Sequence, residues 1–274
     1  MISWRCSFDD ALQPVEQPVL NNGPFAIHRG EPACTCVHEA AHAVTHHVLA
    51  GGRIDRIEVE LRFMRIWQGN VAAGACGQCV PVGATRDAYD LRASDLPLIL
   101  TSGPPPSSEC WRHSLERSIF QYAGPAAEMR YRSQAGLARM AIKGPDAEIV
   151  ERGARMVWLA QNRDGHAFMR LVWKLACDLM DVPAVWKAVS AVEAELFSGL
   201  LRLEPADPRP GDSVKFVMPG SRAEALIAAA GIALPNIIDV HRCGPECVKP
   251  SRKVSRRWER YLAEWAKEEP KNAA

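Results

Sequence analysis

One pentapeptide constrains this chain more than any other feature: His38-Glu39-Ala40-Ala41-His42. It lies in a stretch where Val37, Ala40, Ala41, Val44 and Val48 recur at helical spacing, so a helix from about Cys34 to Leu49 is expected, stopped by Gly51-Gly52. Residues four apart stand on one helix face, so His38 and His42 present two imidazoles to one point. Zinc accepts neutral imidazole nitrogen at about 2.0–2.1 Å. Glu39 is offset by roughly 100° around the helix, close enough to serve a reacting water without ligating the metal. A zinc ion held there makes water acidic, with a pKa of about 7. Glu39 then takes the proton of that water as its oxygen attacks a peptide carbonyl, and afterwards passes the proton to the leaving amine. His46 extends the same face and His47 sits beside it; the motif needs neither, and both are expected to pack or to support the ligands.

Charge and hydropathy remove other classes. Lys plus Arg number 33 against 32 for Asp plus Glu, a net charge of +1, so nothing overall draws the chain to nucleic acid or an anionic membrane. A run of about 18 apolar residues is missing, so no membrane span is expected. The first residues lack a basic segment followed by an apolar one, so no signal peptide is expected either. Nine cysteines, an odd number, argue against a closed disulfide framework and for a reducing cytoplasm.

Those cysteines offer a second candidate site. Cys76 and Cys79 form a CxxC, and Cys243 and Cys247 form a CxxxC with His241 just before it. Together they would make a four-thiolate structural zinc site, or else remain free thiols or a redox pair. Cys34 and Cys36 are expected to pack. The basic residues Lys249, Arg252, Lys253, Arg256, Arg257 and Arg260 are interleaved with Glu259 and Glu264, which reads as a solvated helix face rather than a nucleic-acid patch.

The expected fold is α+β, mostly α. Residues 1–33, with Pro14, Pro18, Pro24 and Pro32, read as an N-terminal arm. A strand follows the first helix, because Ile57, Val59, Leu61 and Phe63 alternate with charged residues. A second extended segment near Asn70 to Val82 would pair with it. Residues 83–114 read as an irregular insertion, and helical patterns fill Leu115 to Leu203, with breaks at Gly124-Pro125, Gly144-Pro145, Asp164-Gly165 and Val182-Pro183. Residues 204–213 read as a linker before a C-terminal extension over 214–274, which holds a short strand, a short helix and an amphipathic tail.

The order of motifs resembles the peptidase domain of FtsH-type zinc metallopeptidases. The motif helix and following strand match that family's HEAGHA helix and β segment; Gly124-Pro125-Ala126-Ala127-Glu128 stands for its G-R-A-A-E-E-like stretch; Gly144-Pro145-Asp146-Ala147 stands for its G-x-x-N-D-L-like helix start. The resemblance covers residues 34–203, the expected peptidase domain. It implies that Asp146 is the third zinc ligand. Glu128 is the alternative, as third ligand or as a group that orients one. Ala41 stands where the family has glycine, and Pro145 where it has asparagine. No counterpart of the family's ATPase half or membrane anchor is expected in this sequence, which has neither a GxxxxGK[ST] phosphate loop nor a run of about 18 apolar residues.

The function expected is therefore a zinc metalloendopeptidase acting on unstructured or dedicated protein substrates. It would not itself use ATP, and a separate unfoldase or adaptor would serve folded targets. The alternative is a non-catalytic zinc-binding regulator. Glu39 discriminates between them, because a purely structural zinc site has no use for a base beside its ligands.

Overall fold

A computed structural model describes residues 5–12, 30–51, 53–65, 71–82, 109–137, 142, 145–161, 164–205, 207–232 and 245–248. Seven helices and three strands follow in the order α1 (Phe8–Ala11), α2 (Gly30–Ala50), β1 (Ile54–Arg65), β2 (Val71–Pro81), α3 (Glu109–Gln134), α4 (Pro145–Gln161), α5 (Gly165–Asp181), α6 (Pro183–Leu203), β3 (Ser213–Pro219) and α7 (Gly220–Ala229) among the described residues. The fold is α+β and mostly helical, with one three-stranded antiparallel sheet.

Helix α2 carries the motif and is buried on most sides. Cys36, Val37, Ala40, Ala41, Ala43 and Val44 are all core residues. Its small residues let α3, α6 and the sheet approach closely, while burial of each larger apolar side chain stabilises by about 1.5–3 kcal/mol. Gly51, at φ 56°, ends the helix in the left-handed conformation that glycine adopts without strain.

The alternation read in β1 is realised: Ile57, Val59, Leu61 and Phe63 are buried, and Glu58, Glu60 and Arg62 face outward. β1 is the central strand, with the order β2-β1-β3, so β2 is an edge among the described residues. Val59 pairs with Gly77 on one side and with Phe216 on the other. The Phe216 ring lies against Gly199 of α6, where a methyl group would stand 2.5 Å from three ring carbons.

Several boundaries differ from those read in the sequence. Helix α3 starts at Glu109, inside the supposed insertion, and runs through Gly124-Pro125. Proline in a helix interior removes one backbone bond, but Tyr122, Ala123, Ala126 and Ala127 are buried around it and hold the helix by packing. The supposed linker is fastened to the sheet: Phe63 N–H donates to Asp212 O, and Gly211 N–H donates to Phe63 O. β3 then pairs with β1 over seven residue pairs, so position 214 does not begin a separate unit. The arm is docked at its start, where Trp173 Nε1 donates to Cys6 O and Phe8 packs on Tyr122. Residues 83–108, the tail beyond 248, His241 and Cys243 lie outside the described residues. No described helix is long and apolar enough to cross a membrane.

Candidate metal centre

Three helices and one strand meet at the motif. α2 supplies His38, Glu39 and His42, α4 supplies Asp146, α3 supplies Gly124 and Glu128, and β2 supplies Gly77 and Cys79. Four-residue helical spacing brings the two imidazoles together edge to face, with ring centroids 4.7 Å apart. Asp146 stands in the first turn of α4, where the helix dipole favours an anion. Its Oδ2 lies 2.9 Å from His38 Nε2 and 3.7 Å from His42 Nε2. One ligand atom from each of His38, His42 and Asp146 lies within 4.8 Å of the others, a group that could hold a metal ion.

The opposite ring nitrogens are tied back. His42 Nδ1 is 2.8 Å from Phe120 O. A carbonyl oxygen only accepts, so Nδ1 carries a proton, and Nε2 is the nitrogen directed toward Asp146. His38 Nδ1 lies 3.4 Å from Glu128 Oε2, and Arg132 Nε donates to Glu128 Oε1 at 2.8 Å. Glu128 thus stands behind His38, on the side away from Asp146. The two carboxylates that the sequence left as alternatives occupy different places: Asp146 faces both Nε2 atoms, and Glu128 faces one Nδ1.

Gly124 lies against the Nε2 end of both rings. A methyl group built there would stand 2.5 Å from His38 Nε2 and 2.7 Å from His42 Nε2. The missing side chain therefore lets both Nε2 edges approach the α3 backbone closely. Two imidazoles and a carboxylate are also the donor set of a catalytic site with one position left open. The residues fit the group.

Electrostatics favour a positive charge here. Burial alone would lower the His38 pKa, but the hydrogen bonds to Asp146 and Glu128 outweigh it and raise it to about 10. Burial would raise Asp146; the two histidines instead hold it below the usual carboxylate range. Glu128 is likewise held low, by His38 and Arg132 against its own burial. The pull on a proton at His38 is the same pull that a metal cation would feel.

Glu39 differs from these carboxylates. It is only 6% exposed, and burial raises its pKa, opposed by His42, His38 and a hydrogen bond from the Cys79 backbone N–H. It belongs to neither the ligand group nor the Glu128 bridge. A buried carboxyl with a raised pKa, beside a cation site, is suited to taking up a proton and releasing it.

The cysteines do not assemble in the same way. Cys79 pairs with Ile57 on the inner face of the sheet, and Cys76 pairs with Glu60 on the outer face. The Cys76 thiol lies 3.7 Å from Glu60 Oε2, while burial and Glu39 push the Cys79 thiol well up. Their side chains point to opposite sides of one strand and do not form a chelating pair. Cys247 is exposed in the 3-10 turn Pro245–Cys247, and like Cys76 and Cys79 it is a free thiol. Cys34 and Cys36 are core residues, as expected. His46 packs edge-on against Phe120, 6.0 Å between centroids, outside the ligand group.

Sequence reasoning missed Gly77 and the Phe120 carbonyl, and it read Gly124 as a break and a motif position without its contact with the two histidines. A glycine inside a strand pattern signals a close backbone approach, so Gly77 carried a readable mark. The carbonyl carried none. No protein-family model matches this chain, and neither a curated protein nor a solved structure matches it.

Proposed function

We propose that this protein is a zinc-dependent metallopeptidase. The observation that carries the reading is the position of Glu39: a buried carboxylate beside the His38-His42-Asp146 group but outside it. A structural metal site closed by side chains has no role for such a group, whereas peptide hydrolysis requires one.

His38, His42 and Asp146 would hold the zinc, which when bound supplies a Lewis acid for the peptide carbonyl and for water. Phe120 O and Glu128 keep the two Nδ1–H groups occupied, so both Nε2 atoms stay directed inward. Glu39 accepts the proton of the attacking water, whose oxygen bonds to the carbonyl carbon. As the C–N bond breaks, Glu39 returns that proton to the amine nitrogen. Water is consumed, and a carboxylic acid and an amine result.

β2 is an edge strand beside Glu39, suited to an extended substrate chain that pairs by backbone hydrogen bonds. Such pairing tolerates many sequences and demands an unstructured segment. The reading therefore names peptides and unfolded chains as substrates, with a separate unfoldase or adaptor for folded targets. Free thiols fit a reducing cytoplasm. The motif order shared with FtsH-type peptidases supports the same activity, with Pro145 and Ala41 as departures.

Purified protein should hold about one zinc and cut a casein-like unstructured protein. Glu39→Gln should retain the zinc and lose hydrolysis by about 100- to 10,000-fold. A zinc-loaded wild type that cuts nothing, or a Glu39→Gln variant that cuts equally well, refutes the peptidase reading. The first result would favour the non-catalytic zinc-binding regulator.

A further inference from the structure

We infer that β2 positions the general base: Gly77 makes room for the Glu39 side chain, and the Cys79 backbone N–H holds its carboxylate. The inference rests on the peptidase reading for the name of Glu39's role, but not for the contact itself.

A glutamate on a helix has three side-chain torsions, and ordering such a chain costs conformational entropy. A base must nevertheless sit within about 0.5 Å of its working position. The helix alone does not provide this, because its neighbours His38 and His42 are engaged with Asp146, Glu128 and Phe120. The restraint comes from the sheet. Gly77 pairs with Val59, whose side chain is fully buried on the face turned to α2. A methyl group at Gly77 would stand 2.9 Å from Glu39 Cδ and 2.9 Å from Oε1, and would also overlap Cγ. Cγ lies mid-chain, so the side chain cannot avoid the overlap by moving its tip alone.

Two residues further along, Cys79 N–H reaches the Glu39 carboxylate. A donor fixed in a sheet backbone does not reorganise during a reaction. A buried carboxylate without such a donor would carry a large desolvation cost. Glycine in a strand interior weakens the strand, and here the weakness is matched by a close approach that only glycine permits. Gly77 and Cys79 are thus positioning residues that act through Glu39.

A two-part experiment tests this. The first part compares thermal unfolding of wild type, Gly77→Ala, Glu39→Ala and the double variant. Gly77→Ala should lower Tm by about 2–4 °C or more, and most of that loss should vanish when Glu39→Ala removes the overlapped atoms. If Gly77→Ala alone fails to fold while the double variant folds, the coupling is shown more strongly. Equal Tm losses in both backgrounds, or unfolding in both, overturn the inference. The second part uses a casein-like substrate with the zinc-loaded variants. Gly77→Ala should keep its zinc and its KM but lose about 100-fold in kcat, the scale of a misplacement near 1 Å. Unchanged kcat overturns the positioning role. If wild type hydrolyses nothing, the peptidase reading fails, while the Tm coupling still decides whether β2 seats Glu39.

Discussion

Two short motifs in this chain look alike as metal sites: His38-x-x-x-His42 and Cys76-x-x-Cys79. They have opposite fates in the fold. The histidines lie four apart on a helix, where that interval returns to the same face, and their Nε2 atoms converge on Asp146. The cysteines lie three apart on a strand, where an odd interval reverses the face. Cys79 points inward beside Glu39, and Cys76 points outward beside Glu60. Spacing therefore has meaning only together with the element that carries it.

The largest test of this contrast is His42→Ala. It should abolish stoichiometric zinc binding, as read by metal analysis of the purified protein, while helix content by circular dichroism is kept. Full zinc retention in that variant would move the metal elsewhere, with the thiols first in line.

Asp146→Asn comes next. A role in helix-start stability alone would cost about 0.3–1 kcal/mol and leave the metal in place. Ligation predicts more, because an amide is a far weaker ligand than a carboxylate. Zinc affinity in a competition titration should fall by well over about 100-fold, beyond the range of a supporting contact.

Glu128→Gln should be milder, with affinity or activity reduced by about 10- to 100-fold, since it removes the carboxylate behind His38 and leaves the ligand group intact. A loss equal to that of Asp146→Asn would make the two carboxylates equal partners, contrary to their placement.

The smallest effect is expected from replacing Cys76 and Cys79 together with serine. The zinc content of the protein should not change, because these thiols do not share a face. Loss of one zinc equivalent would show that the strand carries a metal after all.

Some of this was legible in the residues alone. The motif helix was readable because apolar spacing and the His pair obey the same 3.6-residue period. β1 was readable because charged and apolar residues alternate without interruption from Arg56 to Phe63. The helix starts at Pro145, Gly165 and Pro183 were readable because Pro and a capping Asp164 mark them locally. Each of these signals lies within a few residues of the feature it predicts.

The rest depended on contacts between distant segments. The Gly124-Pro125 break is overridden by packing around α3, and the stretch before Ser213 is fastened to Phe63 rather than free. The resemblance favoured Asp146 over Glu128 as third ligand, but no residue pattern assigned either one a position around His38. Only the meeting of α2, α3 and α4 assigns one to the Nε2 side of His38 and the other to its Nδ1 side. Local periodicity determined which side chains share a face. Which faces meet, and so which glycines leave room for the His pair and for Glu39, was decided by long-range packing that no single segment encodes.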